Sequence, residues 1–542
     1  MTVGHRKRKR RDIEDDGTKK TYRNDRSFYS GVMLLTASNL IVKVTGLLFK
    51  IPMNYIVGDT GMGYFNSAYS IYTFFYMLST SGLPVALAVM ISEYKASGRI
   101  AAARTVFRAA LWLFALGGGA IFLLMYLASD TLAALIRSEL SSASVAVAAP
   151  TILFVCVASA VRGYFQGCGN MLPTAVSQLI EALGKTVIGL SAAVYAVRIG
   201  KPVETVSAYA VSGLTLGSFA GMLYLCFTKL KRGVSDVAVE LPREGSVPPD
   251  TVSYRAVLGR FLHISLPITV SASVMSLTNM LDTALIQRVL TENGMPSEEA
   301  AALFGNYTSL AVPMFNLPPV LVYPIAYSLV PRVASAVSSG DTERTRLSVE
   351  TALRAAVAIG MPCALGLTVL AEPILCLFYR ADSAHLAAPL LTLLAPSSFF
   401  VCILAVTNSI LQSCGAERRP VIAMLCGAVV KCVSSVILLG RLGIVGAPLS
   451  TFLCYLTVTV INLSFTVGRT GIRPSFFGIF FPPAVSGLLC AVTAVLVNDL
   501  LDGVLGRLAC PIAILCAAAV YFALMAFGGQ LKLRDIIPEK TN

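Results

Sequence analysis

Residues 28–57 read FYSGVMLLTASNLIVKVTGLLFKIPMNYIV, an apolar stretch that contains two lysines and neither aspartate nor glutamate. An α-helix rises about 1.5 Å per residue, so this stretch can cross a hydrocarbon layer of roughly 30 Å. Comparable apolar stretches recur to residue 528. The pattern predicts an all-α membrane protein with fourteen transmembrane helices, in residues 28–57, 67–92, 105–127, 144–163, 173–197, 205–228, 260–288, 303–331, 350–371, 384–413, 420–440, 444–467, 475–497 and 505–528.

The composition indicates that lipid is the main solvent. Of the 542 residues, 56% are hydrophobic and 13% are charged, and the mean hydropathy is +0.73. So much apolar surface cannot be hidden inside a water-soluble core. The 13 cysteines are scattered singly and the 3 histidines are far apart in sequence, so we expect neither a metal site nor another cofactor.

The net charge of +14 is a topology signal. Basic residues, including the run from Arg6 to Arg11, are concentrated in the N-terminal tail, in alternate loops and in the C-terminal tail. By the positive-inside rule, both termini are predicted to be cytoplasmic, in a multi-pass protein of the cell membrane. The basic run precedes a membrane span, so membrane lipids are expected partners and nucleic acid is not.

An internal repeat relates the two halves of the chain. Gln166-Gly167-Cys168-Gly169 recurs as Gln412-Ser413-Cys414-Gly415, and the same offset carries Lys185 onto Lys431. Both copies begin on the predicted cytoplasmic side, so spans one to six and seven to twelve are expected to form two pseudo-symmetric six-helix lobes. Paired lobes of this kind are typical of transporters, and we expect a monomer.

The repeat also gives the domain boundaries. They are a basic tail (1–27), an N-lobe (28–228), a polar linker (229–259), a C-lobe (260–467), two additional C-terminal helices (468–528) and a second cytoplasmic tail (529–542).

Basic residues inside predicted spans mark the candidate site. Such a residue at a span centre costs about 2.5–3.5 kcal/mol on insertion scales, so it should face a wet cavity or a partner. In the first span, a polar stripe recurs at helical spacing and therefore occupies one helix face. Together with basic residues of later spans, it gives the candidate substrate-binding residues Asn39, Lys43, Lys50, Arg162, Lys185 and Lys431.

Glu181 and Asp282 are the acidic candidates within spans, for ion coupling or ion pairing. Glu181 precedes Lys185 by four residues, so an intrahelical ion pair fits the spacing as well as a ligand contact does. Arg162 lies near the cytoplasmic end of its span, where its side chain could equally reach the surface. Because basic groups outnumber acidic ones, the spans predict a cationic cavity suited to a phosphate or diphosphate.

The first two spans resemble a known family. The resemblance rests on Lys43-Val-Thr-Gly46, Lys50-Ile-Pro52, Gly58-Asp-Thr-Gly61-Met-Gly63-Tyr64, Ala68-Tyr69-Ser-Ile-Tyr72 and Gly82-Leu-Pro84-Val-Ala86. These motifs are similar to the stage V sporulation protein B branch of the polysaccharide transporters. That branch is grouped with the lipid II flippases in the multidrug, oligosaccharidyl-lipid and polysaccharide exporter superfamily.

The resemblance implies export of an undecaprenyl-diphosphate-linked sugar by alternating access. It implies that Lys43 begins a basic stripe that lines the cavity, with Lys50 about one position off the pattern. The arginines usual in this stripe are lysines here, and an aspartate that often follows is absent. The two extra helices are expected to hold the lipid tail in a groove.

The leading hypothesis is therefore a flippase for a lipid-linked oligosaccharide, with a lipid II-like peptidoglycan precursor as substrate. Another lipid-linked polysaccharide unit is one alternative. An ion-coupled multidrug exporter of the same superfamily is a second, although it would call for an acidic residue in the first span. A membrane enzyme would need clustered carboxylates, histidines or metal ligands, and the sequence predicts none, so we expect that the protein is not an enzyme.

Overall fold

The computed structural model describes residues 3–232, 254–339, 341–416, 418–472 and 475–527. Within those residues the protein is all-helical and contains no β-strand. Most of the predicted linker and the whole of the predicted C-terminal tail lie outside the described residues.

The first half begins with one long helix that is kinked within its length. Gly58 interrupts this helix with φ 74° and ψ 178°, a backbone conformation that favours glycine. The predicted second span is broken after Thr80, because Gly82 and Pro84 suit the start of a new helix better than its interior. The helices are α1 (Val3–Thr80), α2 (Leu83–Ala96), α3 (Ile100–Leu127), α4 (Ser129–Leu135), α5 (Ser142–Gly167), α6 (Leu172–Arg198) and α7 (Val203–Arg232).

The second half contains an interrupted span where the sequence predicts a continuous one. Residues Tyr307–Ala311 form a π-helical turn, and prolines at 313, 318 and 319 remove amide donors on either side of Asn316. The helices are α8 (Tyr254–Glu292), α9 (Ser297–Asn306), α10 (Val312–Phe315), α11 (Leu317–Ser338), α12 (Thr342–Val369), α13 (Ala371–Phe378), α14 (Ala381–Ser413), α15 (Arg418–Leu442), α16 (Gly446–Thr470), α17 (Phe476–Leu505) and α18 (Ala509–Phe527).

Helices long and apolar enough to cross a membrane account for most of the described chain. There are 11 such runs among the described residues. Eight of them have the length of one crossing or a little more, whereas Ile41–Ala96, Arg418–Thr470 and Phe477–Phe527 comprise 56, 53 and 51 residues. The protein is a multi-pass membrane protein.

Most buried apolar side chains of the first half form one cluster, which also includes Val257 and Phe261 of α8, and those of the second half form others. The first cluster draws on residues 49–261, and two others draw on residues 286–525 and 322–479. Helix α1 contacts both sides, because it packs on α5 and α6 in the first half and on α8 and α9 in the second. Side chains on α1 therefore lie where the two halves meet.

Candidate substrate site

Helix α1 exposes two different faces around Lys43. The exposed apolar side chains Ile41, Val44 and Leu48 lie together on one side of the helix. At about 100° per residue, Asn39 and Lys43, which are also exposed, lie on the opposite side. The predicted polar stripe is therefore separate from the apolar face that suits lipid.

The two lysines of this stripe reach across to the second half. The Lys43 Nζ atom lies 4.3 Å from the centre of the Tyr323 ring in α11. The Lys50 Nζ atom donates a hydrogen bond of 2.8 Å to the backbone oxygen of Thr308, in the π-helical turn. Between them, a Cβ added to Gly46 would meet no atom within 4 Å, so there is open space beside the helix.

Lys185 adds a third ammonium group next to the same region. Its Nζ atom lies 4.5 Å from the ring centre of Tyr69, 5.2 Å from Phe49 and 5.9 Å from Phe65. Aromatic faces attract a cation without neutralising its charge. Because Phe49 directly precedes Lys50, the two lysines share one neighbourhood.

Arg162 and Glu181 form a buried ion pair, which corrects two of the alternatives left open above. The Arg162 Nη2 atom lies 2.9 Å from Glu181 Oε2, and Arg162 Nε donates to Ser177 Oγ at 3.0 Å. Ser218 Oγ donates to the other Glu181 oxygen at 3.2 Å. Arg162 is only 7% exposed, so its side chain does not reach the surface, and Glu181 pairs with Arg162 instead of Lys185.

Lys431 is also partnered, within the second half of the chain. Its Nζ atom lies 2.6 Å from Asp282 Oδ2 in α8, and both side chains are buried. Ser435 Oγ donates to Asp282 Oδ1 at 2.9 Å and lies 3.0 Å from Ser450 Oγ. The charge of Lys431 is therefore balanced by a carboxylate that the sequence of its own helix does not contain.

Three other lysines differ from Arg162 and Lys431, namely Lys43, Lys50 and Lys185. None of the three lies within salt-bridge distance of a carboxylate among the described residues. Of the predicted basic residues, the structure thus separates three without an acidic partner, all near α1, from two that are neutralised.

Asp59 joins the two halves at the end of the bundle that holds the Gly58 turn, here called the Gly58 end. Asn54 Nδ2 donates to Asp59 Oδ1 at 2.9 Å, and Ser383 Oγ of α14 donates to Oδ2 at 2.7 Å. With its amide nitrogen turned towards Asp59, Asn306 of α9 donates to both oxygens at 3.0 and 3.3 Å. One carboxylate therefore accepts hydrogen bonds from both halves.

The opposite end of the bundle also has contacts between the halves. Arg260 of α8 forms an ion pair with Glu93 of α2, and both side chains are nearly half exposed. A Cβ on Gly82 would lie 2.2 Å from the Ser265 backbone oxygen, so α8 packs tightly on the start of α2. An exposed ion pair contributes about 0–1 kcal/mol to stability. A part-buried carboxylate that accepts several hydrogen bonds, as Asp59 does, contributes more.

Sequence comparisons assign the chain to a family. Residues 28–337, more than half of the chain, match the polysaccharide biosynthesis protein family. The chain belongs to this family. Residues 267–437 also match the MatE family.

Two relatives of the chain are proteins of Bacillus subtilis (strain 168). The chain is 26% identical over 441 residues to the "Lipid II flippase MurJ", covering 79% of this chain and 80% of that protein. It is 23% identical over 444 residues to "Stage V sporulation protein B", covering 80% of this chain and 83% of that protein. The predicted resemblance is confirmed.

Solved structures show the same fold. The inward closed conformation of the lipid II flippase MurJ has a TM-score of 0.71 at 14% identity, covering 93% of this chain and all of that one. An inward-facing multidrug resistance MATE family transporter of the MOP superfamily has a TM-score of 0.62 at 15% identity, covering 80% of this chain and 98% of that one. The fold of this polysaccharide biosynthesis protein family member is that of the MOP superfamily.

In this member of the family, sequence reasoning missed Asp59 and its partner Asn306. Asp59 is not conspicuous in the sequence, because it follows the predicted first span and carries no cost of burial in lipid. The Gly58-Asp-Thr-Gly61 turn was the available signal, since a carboxylate between two glycines can approach another backbone closely. The described residues contain no group of three or more histidines, cysteines or carboxylates that could hold a metal ion.

Proposed function

We propose that this protein is a flippase that moves an undecaprenyl-diphosphate-linked sugar, such as a lipid II-like peptidoglycan precursor, to the outer face of the cytoplasmic membrane. The observation that carries the proposal is the set of three ammonium groups near α1, on Lys43, Lys50 and Lys185, without a carboxylate partner among the described residues. A diphosphate would supply the missing negative charge through charge-assisted hydrogen bonds.

Family membership supports a transported lipid. Two of the relatives are named as a lipid II flippase and as a sporulation protein, and the solved relatives are transporters. A transporter of this kind needs no catalytic group, so we infer that the protein moves its substrate without chemical change. The sugar-diphosphate headgroup would occupy the space beside Gly46, where a side chain would meet no neighbour.

We further infer fourteen membrane crossings in two six-helix lobes plus two extra helices. Each of the three longest apolar runs has about twice the length of one crossing and contains a break, at Gly58, at Gly443–Val445 or at Gly506–Leu508. If each of these three runs is counted as two crossings, the number of crossings rises from eleven to fourteen. With this count and the positive-inside rule, both termini are cytoplasmic and the Gly58 end faces outward.

The extra helices α17 and α18 would provide a groove for the lipid tail. Helix α17 packs on α12 and α18, and it leaves a row of large apolar side chains exposed. This row comprises Phe477, Phe481, Val485, Leu488, Val492, Leu496 and Leu500. A polyprenyl chain would cover such a row while the headgroup crosses between the lobes.

Alternating access would then operate by exchanging the contacts at the two ends of the bundle. The contacts of Asp59 and Asn306 would close the outer end, and those of Glu93 and Arg260 would close the inner end. Because the Asp59 cluster is the less exposed and has more donors, we expect the outer end to be the more firmly closed in this conformation.

A reconstituted transport assay tests the proposal. Vesicles containing the protein would be loaded with a fluorescent lipid-linked sugar diphosphate, and its outward movement would be followed by quenching from outside. Lys43→Gln, Lys50→Gln and Lys185→Gln are each expected to slow transport by about tenfold or more, because each removes a charge-assisted hydrogen bond. The control is Lys201→Gln, since Lys201 is exposed and lies outside this region. Unchanged transport in all three variants would contradict the cationic site.

A second candidate, ion-coupled export of multiple drugs, is favoured by the match of residues 267–437 to the MatE family. Expression in drug-sensitive cells separates the two. Drug resistance that survives Lys43→Gln would support this second function, whereas growth of cells depleted of their own lipid II flippase would support the first.

A further inference from the structure

We infer that the turn between α14 and α15 carries a binding site for the phosphate group of an anionic phospholipid. The turn holds a cavity of about 440 Å³ that is remote in sequence from the α1 lysines. The described residues that line it are Gly415, Ala416, Arg418, Arg419 and Arg469. The described lining thus contains three guanidinium groups and no carboxylate, and Glu417 lies outside the described residues.

Two of the arginines are held in place by groups that leave their charge intact. Arg419 Nη1 donates to the Phe465 backbone oxygen at 3.1 Å. Arg469 donates to the Cys414 backbone oxygen from Nε at 3.3 Å and from Nη2 at 3.1 Å. A guanidinium carries five N–H donors, so both arginines keep donors for a ligand. Backbone oxygens therefore position these cations without neutralising them.

The internal repeat shows that the turn does not require arginine. The matching turn of the first half follows Cys168, whose backbone oxygen also accepts a hydrogen bond from a basic side chain, Lys95, at 3.3 Å. The offset that relates the two turns places Leu172 and Pro173 where the second half has Arg418 and Arg419. The same local fold thus forms without either arginine, so a structural demand of the turn does not explain them.

The arginines that line the cavity and its place in the fold indicate the ligand class. One planar guanidinium group can bind two oxygens of the same phosphate. Three guanidinium groups therefore match a phosphate group better than they match a single carboxylate. Helices α14, α15 and α16 all belong to runs long and apolar enough to cross a membrane, so we expect their shared end to lie at the membrane surface, near the lipid phosphates. Basic pockets at such a depth typically bind anionic lipid headgroups.

Thermal unfolding of the purified full-length protein in a neutral detergent tests this site. The probes are a short-chain phosphatidylglycerol, the matching phosphatidylcholine and inorganic phosphate. We expect phosphatidylglycerol to raise the unfolding temperature of the unaltered protein, and phosphatidylcholine to do so much less. In the Arg418→Gln and Arg469→Gln double variant, the phosphatidylglycerol concentration needed for half the shift should rise about tenfold or more.

Two further variants keep the test interpretable. Arg441→Gln removes an exposed arginine at the other end of α15 and should respond like the unaltered protein. Arg418→Lys keeps a charge and should recover part of the response. An equal shift with inorganic phosphate would assign the site to free phosphate instead of lipid. Equal responses of the unaltered protein and the double variant would overturn the site, and this result is independent of any transport activity.

Discussion

Gly63 of α1 and Ala301 of α9 are in direct backbone contact, so close that a Cβ on Gly63 would lie 2.0 Å from the Ala301 oxygen. A second glycine repeats the relationship from the other helix, because a Cβ on Gly305 would lie 2.3 Å from the backbone oxygen of Asp59. Two glycines thus let the halves approach closely beside the Asp59 hydrogen bonds. Closure of the Gly58 end depends on the absence of side chains at these positions.

The first prediction is that Gly63→Ala opens the Gly58 end. The added methyl group cannot fit against a backbone oxygen, so α9 must move away and its hydrogen bonds to Asp59 must weaken. Hydrogen–deuterium exchange should become faster in α9 and in the π-helical turn Tyr307–Ala311.

Gly119→Ala is the matched control, because a Cβ there would meet no atom within 4 Å. Alanine is favoured over glycine in a helix by up to about 1 kcal/mol, so the control should be neutral or stabilising. Similar exchange in the Gly63 and Gly119 variants would show that the close contact does not hold the two halves together.

The second prediction concerns the Asp59 carboxylate. Asp59→Asn leaves a single acceptor oxygen and turns an amide nitrogen towards the donors Asn54, Ser383 and Asn306. We expect a loss of about 1–3 kcal/mol of stability, measured by thermal unfolding in detergent.

A reciprocal exchange sharpens this test. The double variant Asp59→Asn with Asn306→Asp restores one carboxylate facing one amide and should recover part of the loss. Asp130→Asn, at an exposed position in α4, should have almost no effect. If the double variant is as unstable as the sum of the single variants, the two side chains do not interact.

The third prediction separates the structural role of Lys431 from contact with substrate. Lys431→Met and Asp282→Asn each leave one buried charge without its partner, which typically costs about 3–5 kcal/mol. The double variant removes both charges and should be much more stable than either single variant. Additive losses in thermal unfolding would contradict the pairing.

Transport by the stable double variant then decides the functional question. If its transport rate matches that of the unaltered protein, Lys431 acts only as the partner of Asp282. A slow rate in a well-folded double variant would instead support the expected contact between Lys431 and the substrate.

The sequence predicted the class of fold and the positions of the basic residues, but not their partners. Apolar length and helical spacing are local properties, so the helices and the shared face of Asn39 and Lys43 could be recognised from the order of residues alone. An ion pair between helices depends on how the helices pack. For Lys431, the carboxylate lies on α8, and no feature of α15 indicates it.

Helical spacing also suggested a partner for Glu181 that the structure does not show. The four-residue spacing to Lys185 allows an ion pair within α6, yet Arg162 of α5 forms the pair and Lys185 lies against aromatic rings. Ser177 and Ser218 complete the site around Arg162 and Glu181 from two helices. A pair supported by additional hydrogen bonds from neighbouring helices is favoured over an isolated intrahelical pair.

The fourth prediction is that membrane potential drives the proposed export. A diphosphate headgroup that carries two negative charges outward across an inside-negative membrane gains about 4.6 kcal/mol per 100 mV. In vesicles that contain the protein and a fluorescent lipid-linked sugar diphosphate, a potassium gradient with valinomycin sets the potential without a sodium or proton gradient. An inside-negative potential should accelerate outward movement, and reversing its sign should slow it. The Lys43→Gln variant should move less lipid at every potential, because the headgroup loses a counter-charge in the cavity. If the transport rate does not depend on the potential but does depend on an imposed sodium or proton gradient, ion coupling supplies the energy instead.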